Sequence, residues 1–182
     1  MLELAARRAM SLAVCVVLAG CGSNGGAPLS KKRLLEPASE LDLIRISEAV
    51  WARESTHGVQ ALSPPERVFL CVWNLEAEVN NGGFEQFFLN SAGDNALDTP
   101  RALREIGASQ AATIAEEANA VFGKSGPPAD RDTRIQALER LGSAATETLN
   151  GLDTRFYKYP DNLEQLLRQF VDSNREAFYA PR

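Results

Sequence analysis

Apolar residues in this chain fall at helical spacing in one segment after another. Val68, Val72, Leu75 and Val79 recur at steps of four, three and four, which draws a stripe along one face of a helix. Upstream, Leu43, Ile46, Ala49 and Val50 make a similar face behind Ser39, which is placed to cap a helix reaching about residue 54. Downstream, Leu103 and Ile106 follow Thr99-Pro100, and Ile114, Ala118, Val121 and Phe122 line an Ala-rich stretch over 108–122. Ile135, Leu138 and Leu141 sit in a segment from 130 to about 149, and Leu163, Leu166, Leu167, Phe170 and Val171 close the pattern. No segment alternates with period two in β-branched residues, so strands are not expected. The expected fold is all-α, a single compact domain of six or seven helices over residues 40–182, with no internal repeat.

Punctuation between these faces is explicit. Ser63-Pro64-Pro65-Glu66 offers Ser at the N-cap, Pro at the first helical position and Glu at the third, a capping box. Asp161-Asn162-Leu163-Glu164 reads as a second one. His57-Gly58 breaks the first helix. Asn80-Asn81-Gly82-Gly83 ends the Val68 helix, because Asn and Gly tolerate the left-handed conformation of a helix C-cap. A short helix from Phe84 to about Asn90 follows.

The first residues behave differently. Arg7 and Arg8 precede an apolar run from Ala9 to Leu18, which Leu18-Ala19-Gly20-Cys21 closes. The run is too short to span a bilayer, which takes about 20 residues, and suits the apolar core of a secretion signal. Leu-Ala-Gly-Cys resembles the bacterial lipobox. The resemblance implies cleavage after residue 20 and acylation of Cys21, hence a lipid anchor. Gly22 stands where an Asp would direct inner-membrane retention, which implies the periplasmic face of the outer membrane. Residues 21–39 sustain no hydrophobic period, carry Gly, Ser, Asn, Pro and Lys31-Lys32-Arg33, and read as a tether. The division is therefore 1–20 signal, 21–39 tether, 40–182 helical domain.

Charge sharpens the domain. The 182 residues have a formal net charge of −5, but residues 1–36 hold five basic side chains and two glutamates. Without them 14 basic and 22 acidic residues remain, a net of −8. Such a surface opposes direct binding to nucleic acid and favours solubility or a basic partner. With Cys15 in the signal and Cys21 acylated, Cys71 is alone in the domain and reads as a small core residue. One histidine, His57, cannot build a His/Cys metal cluster with Cys71. A Ser-His-Asp triad lacks its Gly-x-Ser-x-Gly, and there is no phosphate-binding Gly-rich loop. No catalytic set, metal or cofactor is expected. A two-carboxylate site stays open, although Glu76 and Glu78 lie two apart and so face different ways.

The most unusual stretch is Glu78-Val79-Asn80-Asn81-Gly82-Gly83-Phe84-Glu85-Gln86-Phe87-Phe88-Leu89-Asn90. Amide side chains surround two glycines, and Phe84, Phe87 and Phe88 then share a helical face. Glu78, Asn80, Asn81, Gly82, Gly83, Phe84, Gln86 and Asn90 are the candidate site. They are either a helix–turn–helix corner locked by amide hydrogen bonds or a binding pocket near Glu78, Asn81 and Gln86.

Glu-Val-Asn-Asn-Gly-Gly-Phe-x-Gln-Phe-Phe-x-Asn-Ser-x-Gly resembles the signature of a bacterial domain family, largely of unknown function, that includes a DNA-mimic protein. Leu62-Ser63-x-x-Glu66 and Ala102-Leu103-x-x-Ile106-Gly107-Ala108 extend the resemblance over about 40–180. It implies a helical fold. For the mimic it implies a dimer whose surface carboxylates imitate phosphates and occupy a basic DNA-binding regulator, so a homodimer is one arrangement it allows. The lipobox places the domain away from such regulators. The expected partners are a membrane, through Cys21, and a protein, with no direct nucleic acid.

Overall fold

The computed structural model describes residues 37–179. Cys21, the signal segment and the tether through residue 36 lie outside the described residues. The described chain is all-α, with no strand. It comprises α1 (Glu40–His57), α2 (Pro64–Leu89), α3 (Thr99–Glu105), α4 (Ser109–Ala120), α5 (Arg131–Arg140), α6 (Gly142–Phe156), α7 (Leu163–Ser173) and α8 (Arg175–Tyr179), with 3-10 turns at Val59–Ala61 and Ser91–Asn95. No helix among the described residues is long and apolar enough to cross a membrane. Contacts group the chain into two units, 1–67 with 168–182, and 68–167.

In the first unit, Ser39 caps α1 as expected. Its hydroxyl accepts from the Asp42 amide at 3.3 Å, and the Asp42 carboxylate accepts from the Ser39 amide at 3.0 Å, a complete capping box. Leu43, Ile46 and Val50 are buried, but Ala49 is exposed and Ser47 is buried in its place. The buried face, which also includes Asp42, is thus turned toward Ser47 relative to the apolar pattern. Trp51, also on α1, is half-buried. The helix runs on to His57 before Gly58 ends it. Ser63 stands at the start of α2 as expected, and its amide and its hydroxyl both donate to the Glu66 carboxylate, at 2.8 and 2.7 Å, which is the carboxylate half of the expected box. Glu66 is fully buried, and Arg53 pairs with it at 2.8 Å. Removing one partner of such a pair leaves an uncompensated buried charge.

In the second unit, the 68–79 part of α2 is the core. The stripe of Val68, Val72, Leu75 and Val79 is buried, and so are Phe69, Leu70, Cys71, Trp73 and Ala77 between its members. A helix that is apolar on all sides is enclosed rather than amphipathic. Trp73 is 2% exposed and stacks on Phe69 with ring centroids 5.7 Å apart. α3 packs on α4, and α4 on α6, through the small side chains Ala111, Ala112, Ala115 and Ala118, which let backbones approach closely. Phe84, Phe87, Phe88, Phe122 and Phe156 form an aromatic cluster with centroids 4.9 to 6.5 Å apart, mostly edge to face.

Two expectations are corrected in this unit. The segment from 130 to 149 is not one helix: Gly142, at φ +73°, separates α5 from α6, which continues to Phe156. Ile135, Leu138 and Leu141 are only half-buried there. Asp161 does not begin a capping box for α7. Asn162 caps that helix, its side-chain carbonyl accepting from the Gln165 amide at 3.1 Å. Asp161 instead accepts from the amides of Gln110 and Ala111, both at 2.8 Å, and so closes the first turn of α4.

Candidate functional site

The corner forms where the glycines foretell it. Helical geometry lapses at Gly82 (φ −161°) and Gly83 (φ +78°, ψ −176°), and α2 resumes at Phe84. Gly83 has a conformation that side chains rarely adopt, and a Cβ there would overlap the Asp153 carboxylate. Asp153, on α6, accepts the Phe84 amide at 2.8 Å, satisfying a donor that the helix restart leaves open. Burial, opposed by this amide and reinforced by the charge of Glu85, raises the Asp153 pKa.

The polar side chains of the corner partner one another. Glu78 Oε2 accepts from Gln86 Nε2 at 2.7 Å and Asn90 Nδ2 at 2.9 Å, tying the helix before the glycines to the one after them. Asn80 donates to the Tyr159 hydroxyl at 2.6 Å, and Tyr157 donates to the Val79 carbonyl at 2.9 Å. Gly83 and Phe84 are buried, whereas Asn81 and Gly82 are exposed, and the corner's hydrogen bonds bypass the Asn81 side chain. The arrangement has the character of a locked turn, with little left over to grip a ligand. Of the three residues of the alternative pocket, Glu78 and Gln86 are bonded to each other and Asn81 is exposed.

A buried residue the pattern did not suggest completes the lock. Arg134 on α5 is fully buried. Its Nε donates to the Phe88 carbonyl at 2.7 Å, Nη1 to Pro128 and Ala129 at 2.9 and 2.8 Å, and Nη2 to the Asn90 carbonyl at 2.9 Å and Asp94 at 2.6 Å. Arg131 adds a bond to the Leu89 carbonyl at 2.8 Å. The open carbonyls at the end of the 84–89 turn are therefore capped by two guanidinium groups, which also complement the negative end of the helix. Gly93 makes room for this: a Cβ there would lie 2.7 Å from Arg134 Nε and 2.8 Å from the Phe87 carbonyl.

Glu76 is the second surprise. Helical carboxylates are usually solvated, yet this one is 1% exposed. Burial pushes its pKa from 4.5 up to about 7; a hydrogen bond with Tyr159 opposes the rise and the charge of Glu164 adds to it. Its Oε2 has no hydrogen-bond partner. A carboxyl held in its neutral form stabilises the fold below pH 4.5, and that contribution is lost as pH rises through about 7. Titrating from pH 4 to 8 is therefore expected to cost about 3 kcal/mol of stability through this group. Glu76→Gln is expected to flatten that slope and to be the more stable protein above pH 7. Urea unfolding at each pH reads it, and an unchanged slope would remove Glu76 as the cause.

Beside the corner lies a cleft of about 230 Å³, whose lining includes Glu85 and Leu89 from the second part of α2, Leu138 and Glu139 from α5, and Leu149 from α6. Cys71 is a buried thiol, in keeping with a core role. Among the described residues no three His, Cys, Asp or Glu side chains gather as a metal cage.

Compared with known proteins, the chain matches a family model described as DMP19-like protein over residues 60–174, more than half its length and including the whole corner. No curated protein and no solved structure matches it.

Proposed function

We propose that this chain, which belongs to the DMP19-like protein family, is a non-catalytic protein-binding module carried at the outer membrane on a lipid anchor at Cys21. One observation carries the non-catalytic part. Most polar groups of its most distinctive segment are engaged inside the fold, Glu78 by Gln86 and Asn90 and Asn80 by Tyr159, with Asp153 holding the Phe84 amide, while Asn81 and Glu85 stay exposed. A catalytic or ligand-gripping group needs an atom left free to reach a substrate. The motif therefore specifies a fold whose surface is available for contact. The anchor rests on Leu18-Ala19-Gly20-Cys21 and the apolar run before it.

The test is crosslinking in intact envelopes, comparing the native chain with Cys21→Ala. The native chain is expected to carry the mass of the acyl groups, to fractionate with the outer membrane and to recover a defined partner. Cys21→Ala is expected to lose the added mass and the fractionation. Equal masses and equal fractionation would overturn the anchor, and a native chain that recovers no partner would overturn the binding role.

A second reading is favoured by the family and by the net −8 beyond residue 36. It is a DNA mimic that occupies a basic DNA-binding regulator. Several exposed carboxylates are already neutralised, Glu116 by Arg104, Glu117 by Arg155 and Asp98 by Arg101, which weighs against a continuous phosphate-like surface. Finding only acylated, envelope-located protein in cells would remove this reading.

A further inference from the structure

We infer that the cleft between the 84–89 turn, α5 and the start of α6 is a docking site for a basic amphipathic segment of a partner protein. One lysine or arginine would lie between Glu85 and Glu139, with a neighbouring apolar side chain on the floor of Leu89, Leu138, Ala145 and Leu149. This rests on the protein-binding reading above and gives it a place and a chemistry.

The volume, about 230 Å³, suits one or two side chains and not a folded element. The floor is apolar, with Leu149 only 2% exposed and Leu138 and Leu89 half-buried. The rim is anionic and uncompensated. Glu85 and Glu139 are both exposed, and neither makes an ion pair among the described residues. Asp94, Asp98, Glu116 and Glu117 in the same unit each have an arginine, whereas Glu105, Asp132 and Glu147 are exposed without one among the described residues; what sets Glu85 and Glu139 apart is that they line one cleft together with the leucines. The charge of Glu85 also reaches Asp153, whose pKa it helps to raise. A cation entering between the two glutamates would relieve this repulsion, while its aliphatic stem and an apolar neighbour would cover the leucines. Phosphate-bearing partners, nucleic acid or lipid, are repelled by the same rim. The position is well supported from below: Glu85 and Leu89 sit on the turn that Asp153, Arg131 and Arg134 pin at its two ends, so the site is held ready before a partner arrives.

The experiment uses the full chain with Cys21→Ser, in solution without detergent, and three fluorescein-labelled twelve-residue peptides. One is built of Lys-Leu-Leu-Lys blocks, one has Glu in place of each Lys, and one is oligolysine. Fluorescence anisotropy is expected to show binding of the first, at least tenfold weaker binding of oligolysine and none of the acidic peptide. The pair Glu85→Gln with Glu139→Gln is expected to weaken the first peptide at least tenfold. Helix content and thermal midpoint should stay unchanged, because both residues are exposed. Equal binding by the paired variant, equal binding of oligolysine, or no binding of the first peptide would each overturn the proposal. So would sedimentation showing that the cleft instead pairs two copies of this chain. If the envelope crosslinking finds no partner while the peptide still binds in a Glu85- and Glu139-dependent way, the protein-binding role fails and the cleft stands.

Discussion

Arg134→Ala is expected to lower stability by about 5 kcal/mol, since each buried carbonyl left without a donor costs about 1–3 kcal/mol and a cavity adds to this. The residue is fully buried, and all five of its N–H bonds are used, four of them on backbone carbonyls of Phe88, Asn90, Pro128 and Ala129. No smaller side chain can reach acceptors on both of those backbone segments. Arg134→Lys is expected to recover only a minority of the loss, because an ammonium is a compact point charge without the planar fork that spans them. Asp94→Asn is the useful contrast. Its side chain is 47% exposed and an amide keeps an acceptor for Arg134, but the buried guanidinium loses its counter-charge, so about 2 kcal/mol is expected. Urea unfolding followed by circular dichroism measures all three. A cost below about 2 kcal/mol for Arg134→Ala would mean that water enters and takes over the carbonyls.

Gly83→Ala is expected to cost about 4 kcal/mol, combining backbone strain of about 1–3 kcal/mol with the loss of a charge-assisted hydrogen bond. At φ +78° and ψ −176° the position is open essentially to glycine alone, and the added methyl would displace the Asp153 carboxylate from the Phe84 amide. Gly82→Ala separates the two contributions. Its φ of −161° is ordinary extended backbone, and a methyl would meet Gln86, whose terminal amide can swing away while its Cβ at 3.0 Å must give by a few tenths of an ångström. About 1 kcal/mol is expected there, for the bond from Gln86 to Glu78. Equal costs at the two glycines would show that close packing, rather than backbone conformation, explains the pair.

Much of the fold was legible because its signals are local. A serine three residues before a carboxylate, a valine every turn, and two glycines after two asparagines act through neighbours in sequence, and the structure has α1, the core helix and the corner where those signals put them. The departures have the opposite character. Arg134 sits among polar neighbours on a helix and reads as solvated. It is buried because carbonyls from residues 88–90 and 128–129 converge on it, a convergence no local pattern carries. Asp161 was matched to the helix beside it, yet its carboxylate closes a helix fifty residues earlier. Glu76 shares α2 with Glu78, two positions away. One is enclosed and the other is tied to Gln86 and Asn90, a difference made by what surrounds the helix and not by the helix itself. The candidate residues of the corner were found, but their partners Tyr159, Asp153 and Arg134 were not, so whether they held a pocket or a lock could not be read from them alone.

The two tryptophans have a consequence for experiment. The chain has only Trp51 and Trp73, and they fall in different contact units. Trp73 is enclosed and stacked on Phe69, while Trp51 is partly open to solvent. Their native emission should therefore differ in colour, with the blue component belonging to Trp73. Removing one indole at a time, by Trp51→Phe or Trp73→Phe, turns ordinary fluorescence into a separate gauge for each unit. Coincident melting curves from the two gauges would show that the whole chain unfolds as one cooperative system, and separated curves would show which part lets go first.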